Sequence, residues 1–526
     1  MTPANRSTPD SARTHDLGQV NHTFQSVITR PRRPDALDQT FQERAGRPSP
    51  RSRPHRGHPM IFSLLLCLLA GVVGRAQAEG FDARFEEIKS SASPADLYRF
   101  LYAMPKAGDL HHHAGGSWRM EDLYTVATNK LLNGGNRFYT RVRAGTCPED
   151  DGKWRRFTTV AEFTFKGLSA CQQAEYAPLD QLSARQRAEF MDSLRLDRAN
   201  EGRTEFFEEI WPRLGALGRS VEVFLEMTVE TMKRYGAEGV RYLEPQTIPM
   251  GFVLSDGSSV DPEDFHRRLA ARLQQPDAKA TGVDMRWQVV VLRFTPVAEK
   301  HVEMAYDYVS RHRDLWVGIN MAGREDDDKG HPRRFLEVYR RMRLKHSGVG
   351  LAIHAGEVDE ANPHMRDTLL LGATRLGHGN NVLTDDDLML HLRSKVAFIE
   401  INLVSNLLLE YVPDYSKHHF AEMLRTGIPC GLSTDDSGMW DSNMTDEYMT
   451  AVKEFNLTWA ELVGCGRSSL EWSFAEPALK KQMLEAYDRD VRKFEDRMNT
   501  NDWKDRVGSV KPVSYGFARR RWNLTW

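Results

Sequence analysis

Eight short β-branched or aliphatic runs, separated by longer stretches that carry helix signals, set the frame for this chain from about residue 107 onward. The runs are Lys106–His113, Val240–Glu244, Met285–Phe294, Leu315–Met321, Val349–His354, Ala373–His378, Val396–Asn402 and Ile428–Thr434. Helix signals fall between the later ones: Asp-Glu-Ala-Asn-Pro after the fifth run, Thr-Asp-Asp-Asp-Leu-Met-Leu-His-Leu after the sixth, and Phe-Ala-Glu-Met-Leu-Arg-Thr-Gly before the eighth, where Gly427 can stop the helix. Strand-helix alternation repeated eight times predicts an α/β fold, a (β/α)8 barrel of TIM type.

The spacing is uneven. Residues 114–239 separate the first run from the second, far more than a βα crossover requires. An insertion at about 118–225 is therefore expected. Met120–Leu132, Gln186–Leu194 and Glu205–Leu217 have apolar positions three and four apart, so the insertion reads as mainly helical, over the barrel mouth or side. Asp446–Met498 is also helical in pattern and predicts extra C-terminal helices. No internal repeat or linker divides residues 107–498.

The N-terminal part is different in kind. Residues 1–59 hold ten Arg, no Lys, five acids and eight Pro, a local charge of 10 − 5 = +5, and too few large aliphatic side chains to offset ordering by burial. The apolar run Met60–Gly74 follows, then Arg75-Ala-Gln-Ala78, a small-x-small cleavage pattern. Residues 60–78 read as an export signal and 79–526 as the mature domain, periplasmic or secreted. The run is shorter than the ~20 residues of a spanning helix, which makes a membrane anchor the weaker reading. Because signal peptides normally begin near the N-terminus, residues 1–59 also fit a start-site overcall.

Over the whole chain, 71 basic against 73 acidic side chains leave a charge of −2. That lacks the basic footprint of a nucleic-acid binder and points to small-molecule partners. Cys147, Cys171, Cys430 and Cys465 remain after the signal, too few for a disulfide scaffold. A Cys147–Cys171 bridge is expected from their shared polar, irregular stretch, with two free thiols as the alternative.

Chemistry-bearing residues gather at the ends of the runs. Asp109-Leu-His-His-His-Ala-Gly-Gly116 ends the first, and on a strand His111 and His113 point to one face while His112 points away. His354-Ala-Gly-Glu357 ends the fifth, His378 the sixth and Asp435-Asp436 the eighth. Singly, each has a bland reading: a polar turn, a packed histidine, or an N-cap for the next helix. Jointly they track the C-terminal strand ends where barrel enzymes carry catalytic groups. Three His and one Asp (His111, His113, His354, Asp435) suit one Zn²⁺ per chain, leaving Glu357 and His378 beside it as acid/base candidates.

These residues, with Met104-Pro-Lys-Ala-Gly-Asp-Leu-His-His-His113, Met321-Ala-Gly-Arg-Glu325, Leu376-Gly-His-Gly379, Ser405-Asn406 and Ser433-Thr-Asp-Asp436 in that order, resemble the adenosine deaminase family of metal-dependent amidohydrolases. The resemblance covers about residues 104–480. The leading Met-Pro-Lys and the export signal look most like its secreted, growth-factor-related branch. It implies zinc-dependent deamination of adenosine, and of 2′-deoxyadenosine, to inosine and ammonia. His111, His113, His354 and Asp435 would bind zinc, Glu357 would donate a proton to purine N1, and His378 would orient the hydroxide held on the metal. Gly323, through its backbone, and Asp436 would bind the other ring nitrogens, with His113 also beside the substrate.

Three positions depart from the family pattern. Gly115 stands where the best-known members have an Asp for the ribose 5′-hydroxyl, so ring contacts are expected to dominate here. Ser437 replaces a frequent Pro, and Asn402-Leu-Val404 precedes Ser405-Asn406 where many relatives have a Pro. Alternative functions are deamination of another aminopurine, hydrolysis of a non-purine amine, and a secreted growth-factor-like binding module.

Overall fold

In the computed structural model, which describes residues 80–147, 155–326, 330–513 and 516–526, all eight expected runs become strands of one sheet. The expectations for residues 1–59, the signal at 60–78 and cleavage before Glu79 lie outside the described residues. The strands are β1 (Ala107–His113), β2 (Val240–Thr247), β3 (Trp287–Leu292), β4 (Trp316–Ala322), β5 (Gly350–Ala355), β6 (Arg375–His378), β7 (Phe398–Ile401) and β8 (Cys430–Leu432). Neighbours pair in parallel and in chain order from β1 to β8. A two-residue strand, Asp284–Met285, also pairs with β2, which splits the expected third run.

Closure from β8 back to β1 is made just beyond β8. The Asp435 amide donates to the His111 carbonyl at 2.9 Å, and the His113 amide donates to the Asp435 carbonyl at 3.1 Å. The backbone turns where these strands end: His378, the last residue of β6, and Asp435, just beyond β8, take left-handed conformations, with φ of +67° and +56°. Non-glycine residues held there cost of order 1–3 kcal/mol each, and such strain collects at functional sites.

Helices form the crossovers where the signals fall. The Asp385 side chain caps Asp386–Arg393 by accepting from the Leu388 amide, and Gly427, at φ +88°, follows the helix Phe420–Arg425 in the left-handed conformation that side chains resist. The C-terminal part is helical as expected, in Met444–Phe455, Trp459–Glu471 and Pro477–Met498. The first of these is capped by Asn443. Asp435 and Asp436 are therefore not N-caps of the following helix.

Between β1 and β2 the insertion holds helices and also a three-stranded antiparallel sheet, Phe138–Arg141 flanked by Thr159–Ala161 and Tyr176–Pro178. Strands of three or four residues carry too few alternations to register as a period. Cys147 and Cys171 are disulfide-bonded. The expected helix Glu205–Leu217 is broken: Phe206–Ile210 is a π-helical turn, followed by Trp211–Arg213 and Gly215–Arg219. Pro212 has no amide to donate back to residue 208 and its ring crowds that carbonyl, so the coil widens ahead of it. Among the described residues no helix is long and apolar enough to cross a membrane.

Candidate active site

Because β1, β5, β6 and β8 are parallel, their C-terminal ends open on one face of the barrel, and the expected ligand residues meet there. His113 Nε2 lies 3.2 Å from His354 Nε2 and 3.4 Å from Asp435 Oδ1, and His111 Nε2 lies 3.6 Å from the same Asp435 oxygen. A tetrahedral ion with bonds of about 2.0–2.1 Å has ligand atoms about 3.3 Å apart, close to these three separations; the donors themselves fall into two overlapping groups that share Asp435, His111 with His354 and His378, and His113 with Asp436. The His378 ring packs against those of His111 and His354, with centroids 5.0 and 5.3 Å away.

Hydrogen bonds on the far side of each ring decide which nitrogen faces the site. His111 Nδ1 is 2.7 Å from Glu400, and His354 Nδ1 is 2.8 Å from the Asn320 amide oxygen. Each Nδ1 therefore donates and leaves Nε2 with a lone pair. His378 Nδ1 is 2.9 Å from Asn406 Oδ1, nearer than the Asn402 amide at 3.4 Å. Asn406 is itself oriented by donating to Asn380 at 2.9 Å. Ser405 donates to Asp435 Oδ2 at 2.6 Å. The buried Nε2 atoms of His111 and His378 have no hydrogen-bond partner. A buried group of imidazole nitrogens and a carboxylate, with orphaned nitrogens among them, fits a borderline-soft divalent cation such as Zn²⁺.

Burial opposes a charge on His111, yet the carboxylates of Asp435, 3.6 Å from its Nε2, and of Glu400 outweigh it and raise its proton affinity to about 10, so a cation at Nε2 would stand where that proton otherwise binds. The site is built to hold positive charge. Glu400 pairs in turn with Arg375 at 2.6 Å, and Arg375 with Glu244 at 2.7 Å, a fully buried chain through the barrel interior. Sequence reasoning missed Asn320, Glu400 and Arg375. Their one signal is a polar residue inside an otherwise apolar strand.

The acid/base candidates sit on the same face. Burial, with Asp435 and Glu325 nearby, holds the Glu357 carboxyl well above the usual range and so protonated. Glu325 anchors the Glu357 loop by accepting from the Gly356 and Glu357 amides, each at 3.2 Å, and the Tyr411 hydroxyl approaches Glu357 at 3.4 Å. His378 Nε2 is 3.8 Å from Glu357, and burial lowers its proton affinity to about 4, which keeps the ring neutral. Asp436 is raised by burial and by Asp435, and its Oδ1 has no partner. Gly116 makes room for it: a Cβ there would strike that carboxylate. Gly323, at φ +111°, follows β4 on the cavity wall.

The cavity, about 420 Å³, is lined by His113, Gly323, His354, Glu357, Asp435 and Asp436 at its base. Its other walls are largely aromatic and aliphatic, from the insertion and the loops after β2 and β3.

Known proteins resemble this chain over much of its length. The chain is 24% identical to a cattle (Bos taurus) N6-methyl-AMP deaminase over 55% of its own length and 82% of that protein's. It is 28% identical to an adenine deaminase of Chelativorans sp. over 51% and 79%. Among solved structures, an amidohydrolase from Burkhoderia ambifaria with bound Zn shares the fold at TM-score 0.53 and 18% identity, over 77% of this chain and 95% of that one. The family model described as adenosine deaminase matches residues 180–489, more than half of the chain and six of its eight candidate site residues. A barrel of eight parallel strands whose ends gather these residues, matched by that model over most of its length, belongs to the adenosine deaminase family.

Proposed function

We propose that the chain is a zinc-dependent hydrolase that converts adenosine and 2′-deoxyadenosine, with water, to the corresponding inosine and ammonia. The carrying observation is the set of donor separations of 3.2, 3.4 and 3.6 Å among His111, His113, His354 and Asp435, with Glu357 and His378 beside them.

C6 of an aminopurine is a poor electrophile and its amine a poor leaving group. The four donors would hold zinc, which when bound lowers the proton affinity of a water toward pKa ~7. Neutral His378, with its Nε2 lone pair facing the site, accepts a proton from the attacking water. Protonated Glu357 gives its proton to ring N1 and draws electron density from C6 as the oxygen adds. The C6–N bond then breaks as the amine takes up the proton held by His378 and leaves as ammonia, and the proton of the C6 hydroxyl returns to Glu357 as the carbonyl forms. Gly323 and Asp436 hold the other ring nitrogens.

The Chelativorans relative is named for adenine and the cattle relative for N6-methyl-AMP, which favours another aminopurine as the second reading. Ammonia release by purified protein from adenosine, 2′-deoxyadenosine and adenine separates the two; adenosine is expected to be the better substrate, and turnover of adenine alone overturns the proposal. Export is part of the same reading. The Cys147–Cys171 bridge supports it, since such bonds persist in oxidising compartments. N-terminal sequencing of the mature protein is expected to begin at Glu79, and a retained apolar run refutes it.

A further inference from the structure

A purine presenting C6 to the donor cluster carries its sugar at N9, on the opposite side of the bicycle, so the sugar's 5′ end extends along the cavity wall away from the reacting carbon. That wall is formed by Phe206, Phe207, Trp211, Leu214, Met250 and Phe294. Phe207 and Trp211 are half-buried, and Phe294 stays 44% exposed although it lines the cavity. The Arg324 guanidinium lies over the Phe207 ring, 5.9 Å from its centroid, and is itself paired with Asp326 at 2.7 Å; the remaining wall is apolar surface open to the cavity.

Trp211 occupies the space beside the end of β1. Its ring meets His113 edge-on with centroids 6.3 Å apart, and a Cβ at Gly115 would lie 3.3 Å from the indole and 3.6 Å from Leu214. The indole is held by Phe206, 6.2 Å away, which packs on buried Trp440 at 4.6 Å. The π-helical turn brings this aromatic cluster over the cavity.

Charge argues in the same direction. Among the described lining residues one is basic, Arg219, and its Nε already donates to the Gly251 carbonyl at 3.2 Å. A phosphate dianion placed along this wall would lose its hydration for one cation and otherwise meet apolar side chains.

We propose that this wall selects an uncharged, apolar 5′ substituent, so that the preferred substrates are adenine nucleosides bearing a 5′-thioether or 5′-deoxy group, and nucleotides are refused. The inference rests on the deaminase reading and adds the substrate class.

The test compares kcat/KM of the zinc-loaded full chain for 5′-deoxy-5′-methylthioadenosine, adenosine and AMP. The thioether is expected to exceed adenosine by about tenfold, the worth of a small apolar group in an apolar pocket. AMP is expected at least ~100-fold below adenosine. Trp211→Ala should erase the thioether preference, and Trp211→Phe, which keeps an aromatic ring, should retain it. Adenosine exceeding the thioether, AMP within about tenfold of adenosine, or an unchanged preference in a folded Trp211→Ala variant each overturns the proposal while leaving the deaminase reading intact. Ammonia release from none of the three overturns that reading, and this inference with it.

Discussion

The amide of Asp435 donates to the carbonyl of His111 at 2.9 Å, so two residues whose side chains approach to 3.6 Å also close the barrel through their backbones. An ion bound by their side chains ties β1 to the end of β8 a second time. Binding to the folded state alone stabilises it by about 4 kcal/mol at a thousandfold excess over Kd. Chelation is therefore expected to lower Tm by several degrees, and zinc to restore it. Asp435→Ala should abolish both the metal and the shift; a variant that keeps its zinc removes Asp435 from the ligand set.

Glu357→Gln preserves shape and removes the transferable proton. Its expected effect is a loss of ~10²–10⁴-fold in kcat with metal content unchanged. Because burial raises the Glu357 carboxyl, the wild-type enzyme keeps its acid through neutral pH, and activity falls only as pH rises through that raised value. Near-normal turnover by the variant excludes Glu357 as the proton donor.

Glu400 touches no substrate and acts through His111, whose Nδ1 it holds at 2.7 Å. Partners of this kind are typically worth 10–100-fold in metal affinity. Glu400→Gln should weaken zinc by about that factor, and titration against a competing chelator reads it directly. Unchanged affinity in a folded variant assigns Glu400 to the Arg375 ion pair alone.

Glu175 joins the insertion sheet to the disulfide. Burial pushes its carboxyl up, but hydrogen bonds from Thr146 and Arg141 outweigh this and hold it down to about 2. The Thr146 hydroxyl bond is 2.7 Å and the Cys147 amide donates at 3.1 Å. A depressed carboxyl contributes stability that is present above its unfolded value near 4.5 and lost as pH falls toward about 2. Amide exchange in residues 138–178 should accelerate over that window in the wild type. In Glu175→Gln it should already be fast at pH 6, with no acid step.

Much of the fold was legible because its signals are local. The eight runs match β1–β8 within a few residues, since a buried strand needs a short apolar segment wherever it lies. The C-terminal helices were legible for the same reason. The three-residue strands of the insertion and the widened turn at Phe206–Ile210 were not: the first are too short to show a period, and the second depends on how Pro212 perturbs a helix that apolar spacing alone predicts to be regular.

The site divides in the same way. His111, His113, His354, Glu357, His378 and Asp435 stand at strand ends, and once a parallel barrel is inferred those ends must converge, so the sequence by itself determined which residues meet at the barrel mouth. Only the tertiary structure decided which nitrogen each histidine offers, because Glu400, Asn320 and Asn406 lie 289, 34 and 28 residues away in the chain from the rings they orient. It also decided that Trp211, ninety-six residues after Gly115, fills the space beside it. Periodicity and motifs report what a residue does for its own segment; a tautomer, a raised carboxyl or an occupied pocket wall depends on atoms that folding brings together from distant segments.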